Sequence, residues 1–205
     1  MIKTAPLFPV ILPVSAPADA SGGERVAHQR KSAREALKIS ARHSRVKLPD
    51  ILQKNRKGAP IPFDGNYWSI SHKPKLAAAV IGRQAIGIDI EEIKPRSEAV
   101  WKKVISKAEQ ALAGKQGSEN DFFFRVWTAK EAVLKAEGIG LAGLSGCRVV
   151  GIPDKSSMLL DFEHRLYRVN QIFFQNHWAS LVICDLEAQW IFRDCNLTRS
   201  IHKLG

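Results

Sequence analysis

The chain has 205 residues, 45% hydrophobic and 25% charged, which suits one large globular domain or two small ones and excludes a disordered tail, a collagen or a coiled coil. Its 31 Lys and Arg against 20 Asp and Glu leave a formal charge of +11, pointing to a polyanionic partner: nucleic acid, acidic protein, phosphate-rich small molecule or membrane surface. Cys147, Cys184 and Cys195 are odd in number and lack paired spacing, which argues against a disulfide framework or a zinc site and for a reducing compartment.

In chain order, Met1 to Ala20 comes first. Lys3 precedes an apolar run and Ala18-Asp19-Ala20 resembles a cleavage site, but Pro6, Pro9, Pro13 and Pro17 break the helix a signal segment prefers. An extended arm or edge strand is expected there instead. No run approaches the roughly 18 apolar residues of a membrane span. Ser21-Gly-Gly-Glu24 and Ser32-Ala-Arg-Glu35 both fit a capping box, so a helix starts near 22 or near 32, with Ala33, Ala36, Leu37 and Ala41 as its apolar stripe. Pro49 ends it, and Gly58-Ala-Pro60 with Pro62 marks a loop. Tyr67–Ser71, Leu76–Ile81 and Ala85–Ile90 read as three strands of a compact meander, with a turn at Gly82-Arg-Gln. Ser97 is positioned to cap a helix carrying Val100, Trp101, Val104, Ile105 and Ala108. Ser118-Glu-Asn-Asp121 opens the longest helix, running to about Glu137 and stopped by Gly138. Strands are then predicted over Arg148–Ile152, Met158–Phe162, Tyr167–Phe174 and Trp178–Cys184. The class is α+β, in two helix-then-sheet halves that meet near residue 86: residues 1–86 and 87–205.

Residues 25–57 hold eleven basic side chains and only two acids, Glu35 and Asp50. This segment is either a solvated helix face or a docking surface for phosphates or carboxylates. Three short motifs carry candidate chemistry. In Gly87-Ile-Asp-Ile-Glu91, strand alternation puts Asp89 and Glu91 on one face and Ile88 and Ile90 on the other. Paired carboxylates repel unless a positive charge lies between them, so they are either ligands for a hard divalent cation such as Mg²⁺ or solvated residues at a strand end. In Trp127-Thr-Ala-Lys-Glu-Ala-Val-Leu-Lys135, the helical spacing lines up Trp127, Glu131 and Lys135, while Val126, Ala129, Val133 and Ala136 turn to the core. That stripe is either a surface ion pair or a covered functional face. Ser69-Ile-Ser-His72 puts Ser69 and Ser71 on one strand face with His72 at its end, a group able to hold a phosphate or simply a structural histidine.

In this order and spacing, the three motifs resemble the 4′-phosphopantetheinyl transferase superfamily, over roughly residues 30–145. A chain of this length, with Gly-Ile-Asp near its middle and a Trp opening the third motif, resembles the two-lobed, surfactin-activating type. The resemblance implies two similar α+β lobes related by a pseudo-twofold, each a small antiparallel sheet packed with a long helix, and an active site between them. It implies transfer of the 4′-phosphopantetheine arm of coenzyme A to a Ser of an acidic acyl or peptidyl carrier protein, with release of 3′,5′-ADP. Asp89, Glu91 and Glu131 match the Mg²⁺-binding acids, and Glu131 also matches the general base. Lys135 matches the lysine on the reacting phosphate; His72, beside Ser71, matches a coenzyme A phosphate ligand. Arg34 matches the arginine for the 3′-phosphate, with Arg25, Arg30 and Lys31 as further candidates. Lys57-Gly-Ala-Pro60 partly resembles the adenine loop.

A cytoplasmic monomer is expected, with no membrane or nucleic-acid partner. The rival reading is a basic nucleic-acid-binding module, which the charge favours but which has no helix-turn-helix, zinc or RNP pattern behind it. A lobe-paired protein that has lost its activity is a second, weighed against by the intact Asp89, Glu91, Lys130, Glu131 and Lys135.

Overall fold

The computed structural model describes residues 5–113, 118–183 and 186–193. Cys184, Cys195 and Lys3 lie outside them. Strand β1 (Val10–Pro13) is followed by helix α1 (Gly22–His43), β2 (Tyr67–His72), β3 (Leu76–Gly82) and β4 (Ile88–Glu92). Helices α2 (Glu98–Val104), α3 (Lys107–Ala111) and α4 (Glu119–Glu137) come next, then β5 (Arg148–Asp154), β6 (Ser157–Phe162), β7 (Arg165–Phe174), β8 (His177–Val182) and β9 (Ile191–Phe192). The strands form two sheets, ordered β2-β3-β1-β9 and β4-β8-β7-β6-β5. Each sheet carries one long helix.

Alternation along the strands sorts the apolar residues into three clusters and so stacks the molecule in four layers. Leu37 and Ala36 of α1 meet Val10, Leu12, Ala79 and Ile81 on the outer face of the first sheet. Ile11, Ala78 and Val80 on its inner face meet Ile88, Ile90, Ala179 and Leu181 of the second sheet. Val126, Ala129 and Val133 of α4 pack on Met158, Leu160, Val169 and Val182 on the far face of that sheet. β3 is buried on both faces, which is why it reads as an unbroken apolar run.

Several sequence expectations change. The helix begins at the first capping box: Ser21 caps Gly22–His43 with Glu24 reciprocating, and α1 is 22 residues against 19 for α4, so α4 is not the longest. The N-terminal strand is not at an edge, because β1 lies between β3 and β9; its pairing with β9 is parallel and brings the C-terminal segment back to the first sheet. The third strand does not complete a meander. It starts at Ile88 and pairs with β8, while β1 takes the free side of β3. Gly87 permits this crossing: a Cβ there would lie 1.8 Å from the carbonyl oxygen of Ala132 in α4, so only glycine lets the strand enter so close to the helix. The helix expected after Ser97 is two short ones. Ile105 is extended, Ser106 starts a new capping box with Glu109, and Ser97 itself makes no side-chain cap. The opening of α4 at Ser118 and its stop at Gly138, in the left-handed region at φ 68°, match the sequence.

Candidate active site

The edge strands of the two sheets, β2 and β4, meet at the site. The Ile88 N–H donates to Ser69 Oγ at 3.1 Å, and Ser71 Oγ donates to Asp89 Oδ1 at 2.7 Å. Since Ile88 and Ile90 face the core between the sheets, Asp89 and Glu91 face the other way, toward α4. α4 returns Trp127, Glu131 and Lys135 on one stripe. Lys135 Nζ donates to Asp89 Oδ1 at 2.7 Å and to the Ile88 carbonyl at 3.1 Å. Trp127 Nε1 donates to Glu91 Oε1 at 3.0 Å, and Lys73 Nζ lies 2.6 Å from that same oxygen. Two motifs about forty residues apart thus form one constellation.

Charge in this cleft is unevenly satisfied. Asp89 is buried, and its Oδ2 has no hydrogen-bond partner among the described residues. Glu131 forms no hydrogen bond or ion pair there. Burial raises its carboxyl above the usual range, helped by the charges of Asp89 and Glu91 and opposed by those of Lys135 and Lys73. This donor set suits a hard divalent cation: carboxylate oxygens only, one buried oxygen unmatched, and three acids that repel each other. Yet among the described residues no three His, Cys, Asp or Glu side chains are grouped around a common point as they would be about an ion. Lys73 and Lys135 instead draw Glu91 and Asp89 onto their ammonium groups.

A positive rim lies beside the acids. His72 Nδ1 is 2.9 Å from Gln29 Oε1. An amide oxygen only accepts, so in this arrangement His72 donates from Nδ1, which leaves Nε2 as the ring's acceptor. Burial lowers the His72 pKa, and Lys135, Arg30, Lys73 and Lys54 lower it further. Partial desolvation, then Arg30, Arg34 and Lys135, lower that of Lys54. These cations repel one another, and an anion bound among them would relieve that repulsion. Arg34 is exposed on α1, one turn beyond Arg30. Arg25 is spent elsewhere, on the carbonyls of Ala20 (2.8 Å) and Ala18 (3.0 Å). The Lys57–Pro60 loop is shaped by Asn55, whose Oδ1 accepts from the N–H groups of Lys57 and Ala59.

Sequence reading missed Lys73, Gln29 and Glu109, and placed Lys54 only within the basic segment 25–57. Lys73 carried one signal, its place next to His72; Gln29 carried none. Glu109 was visible as the third residue of the Ser106 capping box. It anchors Lys130, which is buried: Lys130 Nζ lies 2.8 Å from Glu109 Oε1 and donates to the Val104 carbonyl at 2.6 Å. Lys130 therefore supports the helix from behind and stays out of the cleft.

The sequence profile described as the 4′-phosphopantetheinyl transferase superfamily matches residues 85–190. The chain is 37% identical over 78 residues to the 4′-phosphopantetheinyl transferase Sfp of Bacillus subtilis (strain 168), covering 37% of this chain and 35% of that protein. It is 34% identical over 113 residues to the 4′-phosphopantetheinyl transferase HetI of Nostoc sp., covering 50% and 48%. To the 4′-phosphopantetheinyl transferase psf-1 of Bacillus pumilus it is 34% identical over 139 residues, covering 65% and 60%. The chain spans less than two thirds of the length of each of these relatives.

Proposed function

Because the chain belongs to the 4′-phosphopantetheinyl transferase superfamily, we propose that it transfers the 4′-phosphopantetheine arm of coenzyme A to a serine hydroxyl of an acidic acyl or peptidyl carrier protein, releasing 3′,5′-ADP. The observation that carries this reading is the meeting of Asp89 and Glu91 with Glu131 and Lys135 beside a cationic rim. Asp89, Glu91 and Glu131 would hold Mg²⁺. When bound, that ion supplies charge neutralisation for the pyrophosphate oxygens.

The chain's own groups do the rest. Glu131 takes the proton of the carrier serine; a carboxyl raised by burial is a stronger base than an ordinary one. Lys135 moves its ammonium from Asp89 to the transferring phosphate and stabilises its charge. His72, held by Gln29, accepts a proton at Nε2 as a phosphate approaches, and Arg34, with Arg30 and Lys54, takes the 3′-phosphate. Ser71 would have to turn its hydroxyl from Asp89 to meet a phosphate. On this reading residues 1–86 form the phosphate-binding lobe, whose sheet is completed by β9 from the C-terminal segment, and the metal-binding and catalytic lobe is drawn from residues 87–205. A monomer suffices, since both halves of the site come from one chain, and a reaction that uses coenzyme A fits a cytoplasmic protein. Among the described residues no helix is long and apolar enough to cross a membrane.

The full chain, given Mg²⁺, coenzyme A and an apo carrier protein, should add one phosphopantetheine mass to the carrier. Glu131→Gln and Asp89→Ala should each lower the rate by about 100-fold or more while remaining folded by circular dichroism. No mass shift on any of several carriers refutes the activity, and near-wild-type rates in both variants refute the roles.

A further inference from the structure

We propose that Lys73 is a built-in counter-ion of the cation site: its ammonium and a divalent cation compete for Oε1 of Glu91, and release of Lys73 opens the site to the ion. The inference rests on the assignment of Asp89, Glu91 and Glu131 as metal-binding acids.

Four observations carry it. First, Lys73 Nζ sits 2.6 Å from Glu91 Oε1, and the Glu91 side chain is only 10% exposed, so the ammonium occupies the cation's position on that oxygen. Second, the lysine is aimed there by the backbone. It follows β2 in the turn Lys73-Pro74-Lys75, its N–H donates to the Leu76 carbonyl at 2.7 Å, and the side chain crosses from one sheet edge to the other. Its neighbour Lys75 reaches a different acid, Glu92, so proximity alone does not select Glu91. Third, the two lysines of the cleft are held differently. Lys135 is fixed by two acceptors, Asp89 Oδ1 and the Ile88 carbonyl, whereas Lys73 has Glu91 alone among the described residues; their side chains are similarly exposed, at 28% and 33%. One ionic contact is easier to break than an ionic contact plus a carbonyl bond, so Lys73 is the more readily released of the two. Fourth, Trp127 Nε1 donates to the same Oε1, so Glu91 keeps its orientation when Lys73 leaves. The indole acts as a positioning group, and the lysine as the exchangeable one.

Two acids bound to two ammonium groups explain why the carboxylates are not grouped about a common point. A cation that engages Glu91 must displace Lys73 from Oε1, share that oxygen with it, or bind the other oxygen of the same carboxylate beside it. Either of the last two puts like charges within a few ångströms of each other, where repulsion is strong at low effective dielectric. Displacement is therefore the path, and its cost is subtracted from the ion's affinity.

The test is the affinity for Mn²⁺ as probe, measured on the full chain by the free-ion electron paramagnetic resonance signal. Lys73→Gln should bind Mn²⁺ about fivefold more tightly than the wild type, the scale of one partly exposed ion pair. Lys73→Arg, which keeps the charge, should not gain affinity. Lys75→Gln removes an equal charge two residues away and controls for the general field; it should shift affinity less than about twofold. Circular dichroism and thermal denaturation of each variant establish folding. Equal affinities for wild type and Lys73→Gln, or an equal gain in Lys75→Gln, overturn the counter-ion role even if the transferase assay succeeds. If the wild type binds no Mn²⁺, the assignment of the acids falls along with it. A fivefold gain in a protein that transfers nothing upholds the counter-ion and refutes the transferase reading alone.

Discussion

Glu131 sits in the cleft without a hydrogen bond or ion pair to any described residue, and burial raises its carboxyl, with Asp89 and Glu91 adding to the effect. A group whose pKa is raised on folding favours the fold while protonated and opposes it once ionised. Its stabilisation is present below the ordinary carboxylate value and is lost as pH rises through the raised one. Glu131→Gln removes the ionisation. The variant should therefore melt at higher temperature than the wild type at pH 7, and the gap should close below about pH 4, where both carry a neutral side chain. Thermal denaturation across that range checks it. A midpoint lower than the wild type's at pH 7 shows that Lys135 and Lys73 outweigh burial. A stable, inactive Gln variant is what a site that holds its base at a cost in stability should yield.

At the scale of elements, α4 serves two masters. One face packs on the second sheet; another presents Trp127, Glu131 and Lys135 to β4. Lys130 points to neither. Burial opposes the ionisation of Glu109, but Lys130 and the N–H groups of Ser106 and Val149 more than offset it, so its carboxyl stays below the usual range. The pair ties α3 and β5 to α4. Lys130→Met leaves a buried carboxylate without its cation and should destabilise the protein by about 3–5 kcal/mol, measured by urea unfolding. The double variant Lys130→Met with Glu109→Gln should recover part of that loss. If the single variant is as stable as the wild type yet inactive, Lys130 acts in the chemistry and its structural role is wrong. Cys147, near the same pair, is buried, with its thiol pushed up to about 12, so it is inert at neutral pH.

At the scale of the whole molecule, the +11 charge divides by place. Arg30, Arg34, Lys54, His72 and Lys135 gather at the rim of the cleft. Lys38 and Arg42 continue along α1 beside Glu35. On the proposed function the first group would meet coenzyme A and the second, only partly neutralised by Glu35, would steer an acidic carrier, an effect that salt screens. Transfer to a carrier protein should slow as sodium chloride rises from 50 to 500 mM, through weaker association and hence a higher KM. A neutral peptide substrate should be much less affected. Equal salt sensitivity of the two would assign the effect to the cleft itself.

Local pattern determined much of this protein on its own. Alternation placed Asp89 and Glu91 opposite Ile88 and Ile90; helical spacing lined up Trp127, Glu131 and Lys135; Ser118 and Gly138 bounded α4. Each depends only on backbone geometry within one element, which residues a few positions apart already encode. Tertiary structure alone decided that β4 belongs to the second sheet, that β1 is flanked on both sides, that Lys130 pairs with Glu109 behind the site, and that Lys73 rather than a neighbour meets Glu91. These depend on which distant segments share an edge or a cavity. That choice is made by burying the three apolar clusters together and by the close approach at Gly87, and no short window of sequence contains both partners.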